Sequence, residues 1–282
     1  PRSPCALRSV CSDPPTIALR AIRDAKLTSN PPSNDAKAAS LAVPLKLGRG
    51  ESKTVKVHLA WYVPSSGNHI GGDARNDRDR GPCYDPADYE GIPYYYKPWY
   101  ASRFEGINDG IAYWRAHYDD LRKKSELFAE AFHASTLPPE VTEAVAANLS
   151  ILKSPTVMRQ HDGRLWCWEG NNDSSGSCHG TCTHVWNYVQ ALPHLFPDME
   201  RTLRETEFMV DQDSRGHQTF RANLPIRPVE HGFHAACDGQ FGGIVKAYRD
   251  WRISGDTDWI RRLYPLIISS IEYCVRAWDP QE

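Results

Sequence analysis

The sequence predicts a mainly α-helical protein entered through a short β segment. Three observations predict it. Beyond residue 105 the apolar residues recur at helical spacing. Between residues 41 and 63 they alternate at strand spacing instead. Nowhere do strand and helix patterns alternate in the way that builds a parallel sheet.

Residues 1–40 are rich in Pro, Ser, Asn and Asp, show little periodicity, and read as an irregular remnant of an N-terminal domain. Two strand candidates follow in a second region, 41–100. They are 41–47 and 54–63, the latter with Val55, Val57, Leu59 and Trp61 on one face. Gly48-Arg49-Gly50-Glu51 between them suits a hairpin turn. Two strands do not make a stable domain, so further sheet partners are expected upstream. Residues 64–100 form a long Gly-, Asp- and Tyr-rich connection, and long loops are often functional.

The helical region is 101–282. Ile111, Trp114, Tyr118, Leu121, Phe128 and Phe132 fall on one face of a long helix. Pro138-Pro139 opens a second, with Val141, Val145, Leu149 and Leu152 as its apolar face. Asp162-Gly163 marks a hairpin turn. Helices are then expected over 184–192, 197–210, 239–254 and 257–277. Asp256 should cap the last of these, Pro265 should kink it, and Trp259, Leu263, Ile267, Ile271 and Cys274 line its buried side.

Composition removes some functions. The 33 Lys and Arg nearly balance 35 Asp and Glu, a formal charge of −2 without a basic run, which argues against a nucleic-acid partner. No apolar run approaches the roughly 18 residues of a membrane span. The first residues lack an apolar signal region and an initiator Met, so the natural start, with any targeting signal, is expected to be missing and the compartment is left open. Eight dispersed cysteines, several inside apolar helical patterns, suggest reduced thiols rather than a disulfide framework.

The segment 166–182, WCWEGNNDSSGSCHGTC, concentrates the chemistry. Glu169 lies between Trp168 and Gly170, with Asp173 close by. A carboxylate beside an indole wall suits glycoside hydrolysis, which needs two carboxyl groups flanking the scissile bond. On spacing alone the signal is weak, and a surface Glu in a polar loop is the preferred reading. Cys178, Cys182 and His184 resemble part of a zinc site, but no second Cys pair completes it, and Cys182 and Trp186 fit one buried helix face. His231, His234 and Asp238 form a second polar cluster. The histidines there could bond sugar hydroxyls, and Asp238 could cap a helix beginning at Gly239.

Taken in order, the segments VHLAWYVP, YYYKPWYASRF, STLPPEVTEAVAANLSIL, LWCWEG, LPHLFPDMERTLRETEF and CDGQFGGIVKAYRDWRISGDTDWIRRLYP resemble glycoside hydrolase family 116, the group that includes non-lysosomal glucosylceramidase. The resemblance runs from about residue 41 to residue 280. It implies an incomplete (α/α)6 helical barrel, preceded by the last strands of a β-sandwich. It also implies a retaining O-glycosyl hydrolase of the β-glucosidase type, acting on β-linked glucosides or glycolipids without a metal or organic cofactor. Glu169 would be the nucleophile. Trp168, Asp173, His184, His231, His234 and Asp238 would contact the substrate. Two departures are evident: His184 stands where the family has a sugar-binding Asp, and RANLPIRPVEHGFH replaces a Pro-His-Asp element. The family's acid/base Asp would fall beyond Glu282, so the chain is expected to be a fragment, inactive alone, whose fold the rest of the polypeptide completes. The alternatives are a carbohydrate-binding helical-barrel protein that has lost catalysis, and a zinc-stabilised structural domain.

Overall fold

The computed structural model describes residues 44–55, 60–71, 87, 90–91, 95–172, 176–186, 189–229 and 232–278. The chain divides into two units, Pro1–Leu59 and Ala60–Glu282. In the first, residues 44–55 are exposed and carry no ladder pairing. The expected turn does form there: Glu51 N donates to Gly48 O at 3.1 Å, with Gly50 at φ 81°. The described parts of both strand candidates, 44–47, 54–55 and 60–63, are not strands. Alternation alone cannot hold a strand that has no pairing partner.

The second unit is mainly α-helical. Its helices are α1 (Tyr100–Arg103), α2 (Ile107–His133), α3 (Pro139–Leu149), α4 (Thr183–Trp186), α5 (Ala191–Leu195), α6 (Pro197–Glu205), α7 (Cys237–Ser254) and α8 (Thr257–Trp278). α6 continues through a π-type turn over Thr206–Val210. Pro139 and Pro197 start their helices, where a missing N–H costs nothing. Asp256 caps α8, its Oδ1 accepting from Trp259 N at 2.9 Å. The expected helix over 184–192 is broken instead into α4 and α5, with 189–190 between them outside either helix.

Two short hairpins sit among the helices. β1 (Val157–Arg159) pairs antiparallel with β2 (Leu165–Cys167), turning at Gly163 with φ 96°, as Asp162-Gly163 predicts. β3 (Gly170–Asn171) pairs with β4 (Gly176–Ser177). β2 is buried on both faces, and its alternation divides the core. Leu165 and Cys167 join Trp186, Leu192 and Leu203 on one side. Trp166, on the other, joins Val210, Ala222, Leu224 and Ile226. Truncating a side chain as large as the fully buried Trp166 costs roughly 3–5 kcal/mol. A third cluster, Phe208, Ala247, Trp259, Leu263, Leu266 and Ile267, locks the π-type turn to α7 and α8.

A charged layer also runs through the core. Arg204, Glu200, Glu207, Lys246 and Asp250 are all buried. Arg204 pairs with Glu207, Lys246 Nζ donates to Glu207 Oε1 at 3.1 Å, and Arg249 Nη2 reaches Glu200 Oε1 at 2.6 Å. With Arg249 the network holds three cations and three carboxylates, joining α6 to α7. Burial pushes the carboxyls of Glu200 and Asp250 up against the pull of Arg204.

Several apolar faces remain open. No residue of α2 is fully buried; of the expected stripe, Ile111, Trp114, Tyr118, Leu121 and Phe132 are partly covered and Phe128 is 49% exposed. Ile271, expected on the buried side of α8, is 38% exposed, because Leu266 and Ser270 share that side with Leu263, Ile267 and Cys274. Val141 and Val145 of α3 line a groove of about 600 Å³ shared with Leu152, Trp186, Val189 and Leu192. No helix among the described residues is long and apolar enough to cross a membrane.

Candidate functional site

Glu169 follows directly on β2 and Trp168. Its N–H donates to Ser177 O at 3.0 Å and Cys178 O at 3.2 Å, and Trp168 N donates to Thr156 O at 2.8 Å. The peptide leading into the carboxylate is thus tied to both hairpins. The indole of Trp168 stands edge-on to Trp166, with centroids 4.8 Å apart, and lies over Gly176, where any Cβ would overlap the ring. Trp186 Nε1 donates to Trp168 O at 3.2 Å and connects this strand end to α4.

The Glu169 side chain is 21% exposed, and Arg221 Nη2 lies 3.9 Å from its Oε1. Arg221 Nη1 also donates to His179 O at 2.8 Å, so one guanidinium holds the carboxylate and the return loop together. Burial, and secondarily the Arg221 charge, hold His179 below the usual histidine range, which favours a neutral imidazole beside Glu169's loop. Sequence reasoning missed Arg221. It opens the segment RANLPIRPVEHGFH, and nothing local in the sequence links it to Glu169.

The loop from Cys178 to Thr181 is strained. Cys178 (φ 45°) and Thr181 (φ 50°) both adopt left-handed backbone, a conformation especially costly for a β-branched residue. Thr181 is held there from two directions. Its N–H donates to Cys167 O at 2.8 Å, and its hydroxyl accepts from Cys167 N at 2.9 Å. Gly180 between them (φ 82°) is pressed against the next segment. A Cβ there would come within 2.8 Å of the Ala222 backbone, and Ala222 N donates to Gly180 O at 2.8 Å.

His184 and Asp238 form the second half of the site. His184 Nδ1 donates to Asp238 Oδ2 at 2.5 Å. They meet because α4 and α7 cross closely at Gly239, where a side chain would overlap Thr183 Oγ1. Asp238 does not cap a helix starting at Gly239. The helix begins two residues earlier, with Ala236 at the N-cap position, so Asp238 sits in the first turn. There its charge still complements the helix dipole.

His234 belongs to an aromatic group. Its ring is 4.1 Å from Phe233 and 5.6 Å from Phe220, centroid to centroid. Phe220 O accepts from Thr183 N at 3.0 Å, immediately before His184. The consecutive residues Phe220 and Arg221 therefore tie the two halves together: Arg221 reaches Glu169 and His179, while Phe220 reaches α4 and His234. Asp173 and His231 lie outside the described residues.

The zinc alternative is not assembled. Cys182 is buried beside Trp186, Cys178 is exposed, and His184 turns to Asp238. Among the described residues no three His, Cys, Asp or Glu side chains converge as metal ligands. All five described cysteines are free thiols. The chain matches no protein-family model and no curated protein.

Proposed function

We propose that this chain carries the nucleophile half of a retaining β-glycosidase site and that Glu169 is the nucleophile. The observation that supports the reading is the setting of this carboxylate. It is partly buried beside the Trp168 indole, with the Arg221 guanidinium 3.9 Å away, on a loop held by strained backbone. In a retaining mechanism an ionised Glu169 oxygen bonds to the anomeric carbon as the bond to the aglycone oxygen breaks. That oxygen takes a proton from a second carboxyl group. Water then attacks the glycosyl-enzyme, returning Glu169 and releasing the sugar. The His184–Asp238 pair would bond sugar hydroxyls, and the exposed ring of Phe233 beside His234 would offer a stacking face.

The half-exposed His184–Asp238 pair would serve sugar binding with or without catalysis, which keeps a non-catalytic carbohydrate-binding protein as the second reading. One experiment separates them. The protein is incubated with a 2-deoxy-2-fluoro-β-glucoside carrying a good leaving group, digested, and mapped by mass spectrometry. The expected result is a single fluoroglycosyl adduct on Glu169. An adduct on another residue removes the site assignment, and glucoside binding without any adduct favours the non-catalytic reading.

A further inference from the structure

α7 and α8 form an antiparallel helical hairpin. Gly255 (φ 70°) ends α7 and Asp256 caps α8, with nothing else between them. Gln240 Nε2, in the first turn of α7, donates to Ser270 O of α8 at 3.1 Å. The inner residues Ala247, Leu263 and Ile267 pack with Phe208 and Trp259 in the core. A second apolar set on the same two helices stays open. On α7 it is Phe241, Val245 and Tyr248. On α8 it is Tyr264, Ile268, Ile271, Val275 and Trp278. Phe241 meets Trp278 with ring centroids 5.9 Å apart, so the two stripes join into one face.

The spacing within these stripes is regular. Successive members are four and three residues apart on α7, and four, three, four and three apart on α8. That alternation keeps an apolar seam turned towards another helix, with each side chain set into a gap of the facing one. The composition agrees. Half of the eight are aromatic and none is charged, as in the centre of a protein interface. Charges stay at the edge and are engaged there. Arg276 Nη1 lies 3.6 Å from Glu272 Oε2, and Arg252 Nη1 donates to the Tyr248 hydroxyl at 3.0 Å. Together the eight side chains leave on the order of 800 Å² open, more than a monomer ordinarily exposes in one apolar patch and about the share each partner gives to a stable complex.

We propose that this face is a dimerisation surface, occupied by the same α7–α8 hairpin of a second copy of this chain. Two such hairpins set face to face about a twofold axis make a four-helix bundle. A second copy necessarily presents the matching spacing, the matching length and the matching absence of charge. Because each copy offers and covers the same surface, association closes at two. The proposal does not use Glu169 and stands apart from the glycosidase reading.

Sedimentation equilibrium of the full chain over a range of concentrations tests it. A reversible monomer–dimer equilibrium in the micromolar range is expected. Val245 is 66% and Tyr264 60% exposed, so Val245→Glu and Tyr264→Lys leave the core intact, which circular dichroism checks. Each should weaken the dimer about tenfold or more, by placing an unpaired charge in the covered face. Leu127→Glu, on the exposed α2, is the control and should change nothing. A chain that stays monomeric overturns the proposal, and so does a dimer unchanged by Val245→Glu and Tyr264→Lys. Growth beyond two copies overturns it as well. A monomer that binds an anilinonaphthalenesulfonate dye, with less binding in Val245→Glu, assigns the face to a different partner and removes the second copy as its occupant.

Discussion

His184 and Asp238 stand 54 residues apart in sequence and are joined by a 2.5 Å hydrogen bond, with each side chain about half exposed. An exposed pair of this kind contributes little to folding, roughly 0–1 kcal/mol. Its value lies in orienting the imidazole. On the proposed glycosidase reading, Asp238→Asn should leave the urea midpoint nearly unchanged while lowering glycoside turnover by about tenfold to a hundredfold, through loss of the fixed tautomer. Kinetics and denaturation of the same sample check both halves. A large stability loss would mean that the pair is structural.

Gly239→Ala addresses what brings that pair together. The added methyl overlaps Thr183 Oγ1, so α4 must move away from α7. A cost of about 1–3 kcal/mol is expected, with loss of the His184–Asp238 bond. Thermal unfolding reports the first effect and the histidine NMR shifts the second. A variant with wild-type values of both would show the crossing to be loose.

On the proposed reading of Glu169 as nucleophile, Arg221 is its positioning residue. Arg221→Met should reduce kcat/KM for an aryl β-glucoside by about tenfold to a thousandfold, and Arg221→Lys should recover only part of that, because the lysine cannot hold Glu169 and His179 O together. Full recovery by lysine would reduce the role to simple charge.

Lys246 gives a pH signature. Burial, and next the repulsion of Arg204, lower it to about 8 from its ordinary 10.5, against the pull of Glu207 and Glu200. Between those two values the unfolded chain binds the proton and the folded chain does not, so this group makes stability rise with pH from about 8 towards 10.5. Lys246→Met should remove that rise. At pH 7 it should cost roughly 3–5 kcal/mol, by breaking a buried charge pair. Urea midpoints at pH 7, 9 and 10 measure the difference between variant and wild type, in which shared thiol titrations cancel. An unchanged slope would show that another group titrates there.

The helical half of this fold was legible because its signals are local. Pro139, Pro197 and Asp256 mark helix starts wherever they occur, and Asp162-Gly163 makes a turn from its own backbone preferences. The exposed Ile271 shows the limit: periodicity identifies an apolar stripe but not which part of it a neighbour covers. The described parts of the strand candidates before residue 63 are not strands for a similar reason, since alternation needs a partner that pattern cannot supply. In the candidate site, Glu169 and Trp168 were visible as a motif. Arg221, the Phe220 link and the Gly239 crossing were not, because each depends on contacts made far along the chain.

The long helix α2 has a consequence of another kind. Its 27 residues include none that is buried, and exposed pairs such as Arg122–Glu126 and Lys124–Asp120 decorate it. Length alone lets such a segment hold helical structure, yet little tertiary packing resists its opening. Its amide hydrogens should therefore trade with deuterium well before those of α7 and α8, whose inner faces are sealed into the core. Among the described helices, a protease added to the native protein should cut α2 before α7 or α8.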